Sequence, residues 1–268
     1  MLSLKESSVN LVVATYNRLA LTRQSLDSLY TTPSTDIDYM ITVIDNGSSD
    51  GTKEYLKELF DAKKITTLIL LKDNIGVSRG QNVGWKLFEN AKYYAKLDND
   101  VVFTKNNWLN DVLNVLDNSP EIGALGYDCE PSIVNYPIVS NGKATYKNKQ
   151  GNIGGACFFV GKHIHSKLGF WCEEYDKYGE EDADYGMRIS LSGFRNAYMI
   201  DKDMLHLPEP DDAYVKFKRE QREDNLKGIY YRVMNEYANR KRSVYVGTNI
   251  LNEIKDYEFY SYVKDGLI

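Results

Sequence analysis

Through the first hundred residues, short apolar runs alternate with stretches whose apolar positions recur at helical spacing. VNLVVAT (9–15), YMITVIDNG (39–47), ITTLILL (65–71) and YYAKL (93–97) are β-branched or aromatic runs of strand length. Between them, three sets fall on single helical faces: Leu26, Leu29 and Tyr30; Tyr55, Leu56, Leu59 and Phe60; and Gly80, Val83, Gly84, Leu87, Phe88 and Ala91. The turn cluster Asn46 to Asp50 supplies a cap for the second helix. Strands separated by helices in this way predict βαβ units, and so an α/β fold with a mostly parallel central sheet flanked by helices. Ligands of such sheets bind beyond the carboxyl ends of the strands. Three strands end there in polar clusters, Thr15-Tyr16-Asn17-Arg18, Asp45-Asn46-Gly47 and Asp98-Asn99-Asp100. The topology predicts that these clusters converge.

Beyond residue 120 the pattern loosens. Gly, Pro, Asn and Tyr crowd 126–152, which reads as a long loop excursion. GGACFFVG (154–161) is strand-like, and acids open a helix in YGEEDADYGMRISLSGF (178–194). Residues 215–240 carry Leu226, Ile229, Tyr230, Val233, Met234 and Tyr237 at helical spacing, which predicts a C-terminal helical extension.

The 268 residues suffice for a substantial core. A net charge of −5 argues against a general nucleic-acid binder. The charge is uneven: nine Lys or Arg face four Asp or Glu between Lys216 and Arg242, a local +5 that leaves −10 elsewhere. That segment admits three readings: a solvated amphipathic helix packed on the domain, a contact in a homo-oligomer, or a surface that meets anionic membrane lipids. Cys129, Cys157 and Cys172 lack metal-ligand spacing and are odd in number, so they read as reduced thiols. The first residues, MLSLKESSVNLVV, do not have the form of a secretory leader, and no apolar stretch reaches the ~18 residues of a membrane span. These features predict a cytoplasmic protein, with peripheral contact at the inner membrane face under the lipid reading.

Composition alone assigns no chemistry; AKLDNDVVF (95–103) raises a candidate. Along an extended chain Asp98 and Asp100 fall on one side and Asn99 on the other, so Asn99 is expected to tolerate substitution better than its neighbours. Two carboxylates on one side repel unless a cation lies between them. A hard divalent ion, Mg²⁺ or Mn²⁺, meets that need and shares its shell with substrate phosphates. Taken alone, the triplet reads first as a turn, since short acidic triplets are frequent and mostly solvated. In GEEDADYG, four acids within five residues (Glu180, Glu181, Asp182, Asp184) exceed what a helix dipole asks for, and one of them could serve as a general base. His206, in MLHLP, is either a packed histidine or an additional ligand for a carboxylate site.

In register along residues 8 to 206, VVATYNR, VIDNGSSDGT, NIGVSRGQNVGW, KLDNDVVF and LGFWCEEYDKYGEEDADYGMRISLSGFR resemble the motifs of the family 2 glycosyltransferases of GT-A fold. The resemblance implies an inverting, metal-dependent transferase of the hexosyltransferase class. It would move a sugar from a nucleotide-diphosphate donor, a UDP-sugar above others, to a hydroxyl of a glycan or lipid-linked acceptor, as in polysaccharide biosynthesis. It places Thr15, Asn17 and Arg18 near the nucleotide and Asp45 against the base. Asn74, Gly76, Arg79 and Asn82 would line the loop under base and ribose. Asp98, with Asn99 beside it, would reach ribose or donor sugar, Asp100 and Asp98 would hold Mn²⁺ or Mg²⁺, and His206 would supply a further metal ligand. Asp182 would be the base, with Glu181 as the second choice. Many relatives carry arginine immediately before the asparagine of the third motif; here that residue is Gln81 and the arginine is Arg79.

The resemblance also divides the chain into a transferase domain over 1–210, its nucleotide-binding half at 1–103 and acceptor half at 104–210, followed by the extension at 211–268. Trp171 and Tyr175 either stack on an acceptor sugar, the reading preferred, or are core aromatics, and Gly154 and Gly155 either admit the donor closely or form a bulge. Two other functions compete. A nucleotidyltransferase would show a glycine-rich phosphate loop after the first strand, and ATYNRLALT has no glycine. A catalytically silent sugar-nucleotide or glycan-binding module would not need both acidic motifs.

Overall fold

The computed structural model describes residues 9–129, 135–149, 151–208, 212–223, 226–248, 250–254 and 256–262. The first half runs β1 (Val9–Thr15), α1 (Leu19–Thr31), β2 (Tyr39–Asp45), α2 (Thr52–Asp61), β3 (Thr67–Leu71), α3 (Val77–Leu87) and β4 (Tyr93–Asp98). There follow β5 (Val101–Phe103), α4 (Trp108–Asn118), β6 (Ile122–Gly126), β7 (Ile138–Ser140), β8 (Thr145–Lys149), β9 (Cys157–Gly161) and α5 (Lys162–Leu168). The last third holds a 3-10 turn (Glu173–Tyr175), α6 (Glu181–Leu191), β10 (Arg195–Tyr198), β11 (Met204–His206), α7 (Asp212–Glu223), α8 (Leu226–Ala238), α9 (Ile250–Glu253) and β12 (Tyr257–Ser261).

Among the described residues, ten strands form one sheet in the order β12-β3-β2-β1-β4-β9-β6-β10-β8-β7. The four strands of the first half are parallel, as their alternation with helices predicts. Beyond β4 the sheet is mixed, because β9 runs antiparallel between β4 and β6. The stretch read as one loop contains the antiparallel hairpin β7–β8. Helical spacing over 215–240 resolves into two helices, α7 and α8. The extension is not wholly helical, since β12 returns to pair with β3. The boundary drawn at residues 210 and 211 lies outside the described residues.

Central parallel strands are covered on both faces, so their side chains divide between two cores. Leu11 and Val13 of β1 pack with Leu26, Leu29, Leu56 and Trp108 on one side. Val12 packs with Val83, Trp85 and Tyr185 on the other. The registers fix the ends of the strands: Thr15 of β1 lies opposite Asp45 of β2, and Ala14 opposite Asp98 of β4. A second, two-stranded sheet sets His206 of β11 against Val101 of β5. The Leu207 amide then donates to the Asp100 carbonyl at 2.8 Å, which brings the imidazole to the end of β4.

Candidate functional site

The three polar strand ends converge by direct bonds. The Asn17 amide donates to Ser48 Oγ at 2.7 Å, and the Ser49 amide donates to Asn17 Oδ1 at 2.8 Å. Asn17 and Arg18 both adopt left-handed backbone conformations, which turn the chain sharply out of β1. Arg18 then reaches the third cluster, with Nη1 donating to Asp100 Oδ2 at 2.8 Å and Nη2 donating to Asn99 Oδ1.

The resulting cleft has a volume of about 530 Å³, within the range of small-molecule sites. Of the residues singled out from the sequence, Thr15, Arg18, Asn74, Asp98, Asn99, Asp100, Glu181, Asp182 and His206 line it. Five others do not. Asn17 is spent on lacing two loops together. Asp45 is fully buried beneath the floor and accepts hydrogen bonds from Thr15 Oγ1, Ser48 Oγ and the Ser48 amide. Burial pushes its carboxyl up in spite of those bonds. Gly76 packs against a neighbouring segment, since a Cβ there would lie 2.6 Å from the Asp176 carbonyl oxygen. Asn82 is committed to the Trp171 amide and carbonyl and to the Glu173 carboxylate. Arg79, in the first turn of α3, is half-buried and stays outside the lining.

Two further expectations are corrected. Asn99 does not project away from the site: it is buried, it accepts from Arg18, and its Nδ2 donates to Thr22 Oγ1 at 2.7 Å. The chain is already turning after Asp98, so strand alternation no longer applies there. Trp171 and Tyr175 are core residues rather than an acceptor platform. Trp171 packs against Trp85 and Tyr185, and Tyr175 against Cys172, Leu226 and Val233.

The acids of α6 separate by role. Asp184 is buried in an ion pair with Arg188 at 2.7 Å and has no part in the cleft. Glu181 is buried at the wall, and burial together with the Asp182 charge pushes its carboxyl up to about 7. Asp182 is half-buried, its Oδ2 accepting from the Gly155 amide at 3.0 Å and its Oδ1 from the Ala183 amide at 2.8 Å. Elsewhere in the cleft, burial works against the ionised form of Asp100, but His206 and Arg18 outweigh it and hold the carboxyl at about 2.

The residues around Asp100 fit a hard divalent cation. Its Oδ1 is buried, receives no hydrogen bond, and lies 3.3 Å from His206 Nε2. A carboxylate oxygen and an imidazole nitrogen, with the remaining positions left to water and phosphate oxygens, suit Mn²⁺ or Mg²⁺. Among the described residues no three His, Cys, Asp or Glu side chains form a closed cage, so such an ion would depend on phosphate to complete its shell.

The model of "Glycosyl transferase family 2" matches residues 10–163, which is more than half of the chain. The chain belongs to glycosyl transferase family 2. An uncharacterized glycosyltransferase of Haemophilus influenzae is 29% identical over 118 residues, 44% of this chain and 35% of that protein. One of Rickettsia bellii is 31% identical over 103 residues, 38% of this chain and 14% of that protein. This family 2 chain therefore spans a minor part of both relatives. Its fold is similar to that of a mannosyltransferase from Pyrobaculum calidifontis in complex with GDP-Man and Mn²⁺, with a TM-score of 0.59 at 16% identity over 87% of this chain and 69% of that one. GalNAc-T7 with UDP, GalNAc and Mn²⁺ gives a TM-score of 0.62 at 12% identity, covering 88% of this chain and 50% of that one. S. aureus TarS 1–349 in complex with UDP-GlcNAc gives 0.59 at 15% identity, covering 93% and 76%. At these identities the likeness establishes the GT-A fold.

The family 2 site also contains residues that the sequence reading passed over. Asn46, not Asp45, lines the cleft, and its buried Oδ1 has no hydrogen-bond donor. From α7, Tyr214 and Lys218 line the cleft, Arg18 lying 4.3 Å and Lys218 4.8 Å from the Tyr214 ring centroid. Lys96 lies in the wall beside Asp98. Lys96 was legible by alternation, being two residues before Asp98 on the same strand. Tyr214 was not, because nothing in a helical repeat tells which helix closes over a distant cleft.

Proposed function

We propose that this chain transfers a sugar from a nucleotide-diphosphate donor to a hydroxyl of a glycan or lipid-linked acceptor, with inversion at the anomeric carbon. The observation that carries the reading is the placement of two acidic groups on one cleft. Asp100, with an undonated oxygen facing His206, lines the same cavity as the Glu181-Asp182 pair. In this reading Asn46, Asn74 and Thr15, which line the cleft, would meet the nucleoside, and Asp98 the donor sugar or ribose.

Mn²⁺ or Mg²⁺ held by Asp100 and His206 would act as a Lewis acid on the departing diphosphate. Arg18 keeps Asp100 ionised and adds a fixed positive charge on the diphosphate side. Asp182, with Oδ2 held by the Gly155 amide, is the base that takes the proton from the acceptor hydroxyl as oxygen bonds to the anomeric carbon. One base and one displacement invert the centre, so no nucleophilic carboxylate is required. Glu181, buried at the wall with one carboxylate oxygen accepting from the Gly179 amide, is the second choice for the base. UDP is the expected nucleotide, with dTDP as the second choice.

A panel of nucleotide sugars incubated with Mn²⁺ or Mg²⁺ tests this reading through slow hydrolysis in the absence of acceptor. At least one donor is expected to turn over, and chelation of the metal should abolish the turnover. Failure to bind or hydrolyse any donor, with or without metal, would sink the proposal.

A further inference from the structure

Lys96 has only 1% of its surface exposed, yet it forms part of the cleft wall. Burying an ammonium costs several kcal/mol unless it is both paired and hydrogen-bonded. Two partners meet that demand: Nζ donates to Asp98 Oδ1 at 2.5 Å and to the Gly155 carbonyl at 2.7 Å. The neighbouring positions of β4 and β1 are filled by Ala95, Leu97, Val12 and Val13. Packing at this place therefore asks only for an apolar side chain.

Gly155 connects the lysine to the base. Its carbonyl accepts from Lys96, and its amide donates to Asp182 Oδ2 at 3.0 Å. A Cβ on Gly155 would lie 2.7 Å from the Asp182 Cβ, so the close approach requires glycine. The next carbonyl, that of Ala156, accepts from the Asp98 amide at 2.8 Å. The strip 155–156 is thus fastened to β4 on one side and to the first turn of α6 on the other.

We propose that Lys96 is a positioning residue that sets Asp98, on the donor-sugar side, and Asp182, the acceptor base, in fixed register. The inference rests on the transfer reading above. Asp98 directly, and Asp182 through Gly155, are gathered around this one buried ammonium. Without it they repel, and the strip carrying the Gly155 amide loses its anchor to β4. The diphosphate side of the cleft is held separately by Arg18, Asp100 and His206. Lys96 therefore acts on turnover and leaves diphosphate affinity largely alone.

The test compares wild type with Lys96→Met and Gly155→Ala. Turnover is read on the best nucleotide sugar of the panel with Mn²⁺, affinity by calorimetric titration with UDP and Mn²⁺, and folding by thermal melting. Each variant is expected to lose about 100-fold in turnover while its UDP affinity stays within about threefold of wild type. Turnover within about threefold of wild type, or parallel losses of turnover and affinity, overturns the positioning role. Should Lys96→Met fail to fold, Gly155→Ala decides by the same two readouts, because it retains the ammonium and adds a single methyl group. A wild type that turns over no nucleotide sugar brings down the transfer reading and this inference together. An active wild type with active variants brings down the inference alone.

Discussion

At the scale of single residues, two adjacent acids at the start of α6 differ in environment and therefore in expected behaviour. Asp182 is held by two backbone amides at the open wall, and Glu181 is buried behind it. Asp182→Asn keeps the shape and removes the base, so transfer should fall by at least ~10²-fold, the usual contribution of a general base. UDP affinity should remain near wild type by calorimetry; an equal loss of affinity would argue against the base role. Glu181 makes the opposite kind of prediction. Its carboxyl ionises at its ordinary value of 4.5 in the unfolded chain and at about 7 in the fold. Between those values the folded state binds more protons, so the residue costs stability progressively as pH rises. Glu181→Gln should raise the melting temperature at pH 8 and leave it unchanged near pH 4. A uniform shift across that range would contradict the buried-acid account. Much of this site was legible from residue type and order, because both acidic motifs sit at element ends that the hydrophobic pattern predicts. Asn99 and Asp45 were misjudged for one reason. Sequence gives the position of a polar side chain, but not whether the protein itself has already consumed its hydrogen bonds.

Elements are placed by close approach as much as by pattern. Gly84 of α3 lies against β1, where a Cβ would fall 2.4 Å from Val12 Cγ1. Asn10 of β1 uses the same proximity, its Nδ2 donating to the Gly84 carbonyl at 2.9 Å while its Oδ1 accepts from Thr42. Gly84→Ala gains about 1 kcal/mol of helix propensity, but overpacking against a stiff β-branched neighbour costs typically 1–3 kcal/mol. Net destabilisation is expected, read as a lower urea midpoint with an unchanged slope. Partial rescue by Val12→Ala in the same chain would locate the clash. Elements built from local signals were readable: β1 spans the expected 9–15, β2 and β4 begin at the expected residues, and β3 is two residues shorter. Others take their form from distant partners. The hairpin β7–β8 is half-polar and lies against β10.

For the molecule as a whole, the last described strand decides what the C-terminal segment is. In YEFYS the residues neither alternate cleanly nor bury fully, so the strand is silent in sequence and exists because β3 offers it an edge. Phe259 packs against one core and Tyr260 against the other, Thr67 and Ser261 share a hydroxyl hydrogen bond, and the Tyr262 ring stacks on Phe60 at 4.2 Å. The segment thus finishes the sheet instead of hanging from it. Ahead of it, Arg232 and Arg242 pair with Glu174, which spends part of the local positive charge on docking α8 to the 3-10 turn. Deletion of 256–268 should therefore expose TLILL, a buried and mostly apolar strand that would become a free edge and a template for pairing between chains. A lower melting temperature and a shift towards larger species than wild type in size-exclusion chromatography are expected. The fraction that keeps the wild-type elution volume should bind UDP and Mn²⁺ as wild type does, because β1 and β4 and the loops that follow them are untouched. Unchanged melting and an unchanged elution profile would show that β12 is dispensable to the sheet it completes.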